Sequence, residues 1–435
     1  MFNLRRKWVM QAAAAALIVF LSLFLSACAK NPVTGEEQLV FMSEPQEITM
    51  GANYYPQVIQ LNNGTPPEDP QLQAYVSDVG QRLASLSHRP HLPWQFTVVD
   101  SSQVNAFALP GGKICITRGL IAKMNSEDEL AGVLGHEIGH VTARHAVSAY
   151  TRQVLMAGAM LGLAIALSDS DYAPAALAAA GVAGGLMMLS YSRDQERQSD
   201  ELGYEYMTKA GYNPMGMVKT FELFQKMQKS EPGVVEGMLS SHPLPSERIH
   251  AAEQRALASP LSSQPFKTAQ FSRSLARQKR LAPAYAQLDK ANALARKKQW
   301  SQAVVHYKKA IAMFPKESMF YSRLAVAQMK QDQDAMALKN AKQGARLSED
   351  GFYPNLILGM VANANRKYSL AVDAHRKAAA VMPDHVINNF FLAYAYDKTG
   401  PRYQAVTYYR KVKSAAPNSQ YGQIAAKRLS QLGYN

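Results

Sequence analysis

"LAGVLGHEIGHVTARHAV", residues 130–147, sets three histidines and a glutamate among residues that otherwise suit a buried helix. Ser126 followed by Glu129 is a capping-box pattern and predicts a helix start there. Leu130, Val133, Leu134, Ile138 and Val141 give that helix an apolar stripe. His136 and His140 lie one turn apart, project from one face and can grip a single cation. Glu137, about 100° round the axis, can reach a water on that cation. This is the H-E-x-x-H spacing of zinc peptidases. Composition alone produces such a match in roughly one chain per hundred of this length, so a third ligand has to be found. The Gly and third His that one class of zinc peptidase carries at fixed offsets are replaced by Ala143 and Ala146. His145, far round a continuing helix from His140, is expected at the surface or in a cap.

The stretch "SRDQERQSDELGYEYM", residues 192–207, supplies the missing ligand. Glu196 and Asp200 are again i and i+4. On a helix Glu196 can coordinate zinc while Asp200 reaches a ligand imidazole and fixes its tautomer. Two histidines and one glutamate leave a fourth position for water, as a catalytic site requires. In the mechanism this predicts, Glu137 accepts a proton from that water and returns it to the leaving amine.

Together "HEIGH" (136–140), "ERQSD" (196–200), "NAFALPGGKI" (105–114) and "SSHPLPSERI" (240–249) resemble family forty-eight of the metallopeptidases, a gluzincin family, over about residues 31–255. The resemblance implies a mainly α fold: a zincin-type helical metallopeptidase domain with a small β-hairpin or sheet edge beside one Zn2+ per chain. It implies that His242 is an additional histidine near the metal, which either stabilises the oxyanion or occupies the fourth zinc position; the sequence leaves both open. Arg248 either orients the same loop or lies at the surface. The hairpin also follows from the residues themselves, because 104–109 and 113–117 read as strands around Pro-Gly-Gly. In such peptidases the edge strand holds an extended substrate by backbone hydrogen bonds, which makes Asn105, Ala106 and Phe107 substrate-binding positions.

Between the two zinc helices, 154–167 and 175–189 are apolar runs split by "SDSDYAP". As helices they would each span only about 21–23 Å, against a hydrocarbon core of about 30 Å. A lid or plug over the cleft is expected instead.

At the N-terminus, Arg5, Arg6 and Lys7 precede an apolar run from Ala12 to Leu25 that closes on Ser26 and Ala27 before Cys28. This is an export signal over 1–27. It resembles a bacterial lipobox, implying cleavage before Cys28 and lipidation of its thiol. Ala29, in place of Asp, implies an outer-membrane destination facing the periplasm. Cys115 is then left without a disulfide partner, so stability must come from packing. At 435 residues and 47% apolar the chain can build two or more cores.

The C-terminal part repeats. Pro315, Pro383 and Pro417, with Glu349 in the vacant register, fall on a 34-residue ruler; so do Ala303, Ala337, Ala371 and Ala405, and Ala291, Ala325, Gly359 and Ala393. Thirty-four residues is the length of a tetratricopeptide unit, and "QAVVHYKKAIAMFP" and "LAVDAHRKAAAVMP" resemble its second helix. The expected order is a peptidase domain over 28–255, a linker over 256–283, an α-solenoid of about four repeats over 284–417 and a capping helix over 418–435. His306, His375 and His385 show no ligand spacing and are expected at the surface or in the groove.

The net charge of +14 is concentrated in this half: residues 284–435 carry 23 basic and 9 acidic side chains. Basic surfaces often serve nucleic acid, but an exported protein seldom meets any. Acidic protein surfaces or anionic headgroups are the expected counterparts. The family resemblance implies a quality-control task in the envelope. Misassembled outer-membrane proteins would be the clients, the assembly machinery would be the partner of the basic repeats, and a lipid anchor would hold the chain to the membrane.

Overall fold

A computed structural model describes residues 28–66, 69–153, 155 and 190–434. The expected signal segment, nearly all of the two apolar runs and the side chain of Cys28 lie outside the described residues. Among the described residues no helix is long and apolar enough to cross a membrane.

The chain opens with an antiparallel pair, β1 (Cys28–Lys30) and β2 (Glu37–Leu39), followed by helices α1 (Glu44–Leu61) and α2 (Pro70–Ala84). Strands β3 (Gln95–Val99), β4 (Ala106–Leu109) and β5 (Lys113–Thr117) form a sheet in the order β3-β5-β4, with β4 antiparallel to β5 and at the edge. The β4–β5 turn needs two consecutive residues at positive φ, which Gly111 (73°) and Gly112 (83°) provide. The hairpin stands where the sequence placed it, with β4 shorter than expected: Asn105 precedes the strand and is held to Thr117 by its backbone.

After one turn, α3 (Arg118–Ile121), comes the central helix α4 (Glu127–Thr142), all of whose residues are buried. The Ser126 side chain accepts the Glu129 amide, and acidic residues fill its first turn. Helix α5 (Arg193–Lys209) packs along α4, starting from a capping box of Ser192 and Gln195. The two backbones come close because glycines face each other: a Cβ on Gly135 would lie 3.0 Å from the Gly203 carbonyl oxygen, and one on Gly203 would lie 2.8 Å from the His136 amide. No larger residue fits there, and this closeness brings the side chains of α5 onto the histidines of α4. Helices α6 (Met215–Ser230), α7 (Pro232–Ser241) and α8 (Ser246–Leu257) complete the layer.

Residues 256–283, expected as a linker, are ordered. Helix α9 (Ala269–Ser274) puts Phe271 into the core of the N-terminal half, with Leu275 just beyond it. Helix α10 (Ala276–Arg296) runs straight through the expected boundary at 283. The stretch reads as polar because its large buried apolar residues, Phe271, Leu275 and Leu281, are few and divided between two helices and the junction between them, too few to show a period.

From α10 onward helices alternate in pairs: α11 (Trp300–Met313), α12 (Ser318–Met329), α13 (Asp334–Leu347), α14 (Phe352–Ala364), α15 (Tyr368–Val381), α16 (Val386–Thr399), α17 (Arg402–Ala415) and a final α18 (Gln420–Gln431). The fold is thus mainly α, a helical domain around a small three-stranded sheet followed by a tetratricopeptide-like solenoid. All seven alanines of the two small-residue registers are fully buried. Pro315, Glu349, Pro383 and Pro417 fall between pairs. The remaining small residue, Gly359, lies under the His375 ring, which a Cβ would meet at 2.5 Å. His375 is accordingly buried, not at the surface, with Nδ1 2.8 Å from Asn388 Oδ1, and burial lowers its pKa to about 4.

The two halves meet through buried polar groups. Arg118 bonds Asp100 (2.7 Å) and lies 3.5 Å over the Tyr285 ring; Ser102 donates to Asp289 (2.6 Å), and Tyr285 donates to Glu317 (3.0 Å). Burial, then the Asp100 charge, push the Glu317 pKa up to about 8, against the opposing Met319 amide, Tyr285 hydroxyl and Arg118. Glu317 is therefore protonated in the folded chain at pH values where the unfolded chain has lost that proton. Its contribution to stability is fully present below pH 4.5 and is lost as pH rises from there through about 8. Glu317→Gln should flatten that decline; parallel melting-temperature curves for the two proteins from pH 5 to 8.5 would refute the assignment.

Candidate metal centre

Four side chains from three places in the fold converge. His136 and His140 come from α4, Glu196 from the first turn of α5, and His242 from the residue capping α7. One ligand atom from each lies within 4.8 Å of every other. The His136 and His140 Nε2 atoms are 3.0 Å apart; Glu196 lies 3.3 Å from His140 Nε2 and 3.6 Å from His136 Nε2; His242 Nδ1 lies 3.0 Å from Glu196 and 3.4 Å from His136 Nε2. All four are buried. Three imidazole nitrogens and a carboxylate oxygen sharing so small a volume are the donor set of a zinc ion.

The neighbours orient these donors. His136 Nδ1 is 2.9 Å from Asp200 Oδ1, so the proton sits on Nδ1 and leaves the Nε2 lone pair free. Arg248 is fully inside: its guanidinium spans Asp200 (2.7 and 2.8 Å), Glu196 (2.6 Å) and the Pro243 carbonyl (2.6 Å), so it locks both acids and the loop carrying His242. Of the two places the sequence allowed Arg248, the surface is excluded.

Burial would raise the pKa of Glu196 and of Asp200. His242 and His140 outweigh it at Glu196, and His136 and Arg248 outweigh it at Asp200, so both acids are held ionised. Burial lowers the His140 pKa well below its usual value and keeps that ring neutral, the form a metal needs. For His242, burial is overcome by Glu196 and Glu137, which raise its pKa.

Glu137 differs from the other two acids. It is fully buried and neither carboxylate oxygen has a hydrogen-bond partner among the described residues. Burial raises its pKa despite His242 and His136. His242 Nε2 stands 3.7 Å from it. Beside them an apolar cavity is lined by Val133, Met217, Phe221, Phe224 and Met238. An unpartnered buried acid costs free energy, and a water on a bound cation is the partner that would satisfy it.

Two site residues escaped the sequence. His145 is buried, because Arg144 takes a left-handed conformation (φ 57°) that ends α4 and swings the next residue inward. Its Nδ1 lies 3.0 Å from His140 Nδ1, and its Nε2 is held by Gln198 (2.8 Å). With no Gly or Asn at 144, nothing in the sequence signals that turn. Tyr191, stacked on His140 at 4.0 Å, was findable as the aromatic just before the Ser192 cap. Of the hairpin positions, Ala106 and Phe107 lie in the edge strand and are buried, Phe107 in one apolar cluster with Tyr55 and Tyr191; Asn105 is partly exposed.

Comparison with known proteins matches residues 70–256 to Peptidase family M48. The "Beta-barrel assembly-enhancing protease" of Escherichia coli K12 is 33% identical over 225 residues, 49% of this chain and 45% of the relative. The "Mitochondrial metalloendopeptidase OMA1" of Schizosaccharomyces pombe is 29% identical over 232 residues, 51% of this chain and 65% of the relative. The "Metalloprotease YcaL" of Escherichia coli K12 is 29% identical over 196 residues, 42% and 73%. The chain spans about half the length of the first of these. Among solved structures, the "Arabidopsis OM64 TPR domain" is 19% identical with a TM-score of 0.26, covering 27% of this chain and 98% of that one, and "MamA MSR-1 C2" is 21% identical with a TM-score of 0.31, covering 35% and 87%.

Proposed function

We propose, from the premise that residues 70–256 form a Peptidase family M48 domain, that this chain is a zinc-dependent endopeptidase of cell-envelope protein quality control, acting on misassembled outer-membrane proteins. The observation that carries this reading is the meeting of His136, His140 and Glu196 beside the unpartnered carboxyl of Glu137. The first three hold the ion. Zinc bound there supplies a Lewis acid that polarises a peptide carbonyl and acidifies a water.

The chain's own groups then handle position and protons. Glu137 takes a proton from the attacking water and passes it to the departing amine; its raised pKa suits a group that must both accept and donate. Asp200 and Arg248 keep His136 and Glu196 in place. The unpaired edge of β4, with Asn105 just before the strand and Ala106 and Phe107 within it, receives an extended peptide by backbone pairing. His242, with Nε2 facing Glu137, donates to the oxyanion when its ring swings off the ligand cluster.

The name "Beta-barrel assembly-enhancing protease" of a relative supports outer-membrane clients. The excess of basic side chains in the repeats supports a docking role toward acidic surfaces of the assembly machinery. Periplasmic residence and an anchor on lipidated Cys28 complete the proposal.

A second reading is favoured by one distance. His242 Nδ1 is 3.0 Å from Glu196, within the ligand cluster, so His242 can cap the metal and leave a latent protein that works as a chaperone or adaptor through its repeats. Purified protein, its Glu137→Gln variant and its His242→Ala variant, incubated with an unfolded outer-membrane β-barrel protein and with casein, decide between the two. The peptidase reading requires metal-dependent cleavage by the native protein. Cleavage by the His242→Ala variant alone favours latency, and cleavage by neither sinks the enzymatic assignment.

A further inference from the structure

We propose that Tyr191 is a positioning residue of the metal centre, whose ring holds the His140 imidazole in its coordinating orientation and backs the loop that carries His242. This rests on the zinc reading of the site. The two ligand histidines of α4 are oriented by different means. His136 has an ionised partner, since Asp200 bonds its Nδ1 and is itself gripped by Arg248. His140 has no carboxylate on its outer nitrogen; the group there is another imidazole, His145 Nδ1 at 3.0 Å. A contact between two imidazoles fixes ring orientation less firmly than one to a carboxylate, because one partner must carry the proton and neither need be charged.

Tyr191 supplies the remaining constraint. Its ring lies over His140 with centroids 4.0 Å apart and planes 27° from parallel, a stacked geometry that blocks the imidazole from tipping toward that side. The centroid of the same ring is 5.5 Å from that of His242 and 6.1 Å from that of His145, so one side chain neighbours three imidazoles. The Tyr191 amide donates to the carbonyl of Ser241, the residue before His242, at 3.4 Å, which joins the backbone under the ring to the His242 loop.

Tyr191 is 8% exposed and belongs to the same buried apolar cluster as Phe107 and Tyr55. Among the described residues its hydroxyl makes no hydrogen bond, so the ring carries the role. The flat face is the feature that matters.

The test uses the full chain loaded with one equivalent of zinc, or with cobalt as a visible probe, and a chromogenic chelator as competitor. Tyr191→Phe keeps the ring and should release zinc at the native rate with an unchanged cobalt spectrum. Tyr191→Leu, and Tyr191→Met as a second non-aromatic filler, should release zinc roughly 10-fold faster or more, the scale expected when a group orienting a ligand is lost, with a shifted cobalt spectrum. Native release rates and spectra in both non-aromatic variants overturn the proposal while leaving the zinc site standing. So does a Phe variant as impaired as they are, which would assign the role to the hydroxyl. A native chain that holds no zinc overturns the site itself, and this inference with it.

Discussion

On the proposed peptidase reading, Glu137→Gln should lower peptide-bond hydrolysis by a factor on the order of 10² to 10⁴, the range supplied by a positioned general base, and should leave one zinc per chain. The two halves of this expectation come from separate facts. The loss follows because an amide cannot accept the proton from the attacking water. Metal retention follows because Glu137 lies outside the four-residue donor cluster. The substitution is also mild structurally. The carboxylate oxygens have no partners to lose among the described residues, and burial already disfavours their charge, so folding should be unharmed or slightly improved. Hydrolysis rates on a quenched peptide, read beside zinc content and a melting curve, check all three points. Residual hydrolysis near the native rate would remove Glu137 from the mechanism; loss of zinc would make it a ligand.

Arg248→Met destabilises the zinc-free chain by about 3–5 kcal/mol, the cost of breaking a buried ionic network by removing one partner. Arg248 is the common partner of Glu196 and Asp200, both at 3% exposure or less. Without it two buried carboxylates one turn apart on α5 have imidazoles alone to balance them. Methionine fills the space without supplying charge. The melting temperature in chelator should fall by roughly 10 °C for a domain of this size. Zinc should restore part of the loss, because the ion compensates Glu196 but not the Arg248 side of Asp200. Arg248→Lys should rescue little, since a point charge cannot span three acceptors in a fixed fork. A melting temperature within a degree or two of the native value would mean that the network stabilises nothing.

How far the site was legible depends on sequence distance. His136, Glu137 and His140 share one turn of one helix, and Glu196 with Asp200 share one turn of another. In both cases a fixed helical pitch converts spacing into direction, so the residues alone gave the geometry. His242 and Arg248 sit in a non-repetitive loop and the helix after it. Their proximity to the centre could be expected only from resemblance, and nothing in the spacing told an oxyanion donor from a ligand. His145 went the other way: helical pitch, applied past the point where Arg144 breaks the helix, placed it on the wrong side. The helices within 256–283 were illegible for a related reason: Phe271 and Leu275 dock a short helix and the turn after it, but two apolar residues make no pattern.

The sequence by itself determined the local geometry and the repeating architecture: the turn that sets His136 beside His140, the pairing of Glu196 with Asp200 on one helix face, the glycine hairpin and the 34-residue solenoid. Each is written in intervals shorter than a helix or identical from unit to unit, where backbone periodicity does the positioning. The tertiary structure alone decided how α4 and α5 close on each other across Gly135 and Gly203, that one arginine locks two acids, that Tyr191 and His145 stand behind His140, and that the solenoid seals against the sheet through Arg118, Tyr285 and Glu317. These contacts join residues tens to hundreds of positions apart. They depend on which backbones can approach, and that is settled by packing the whole core at once.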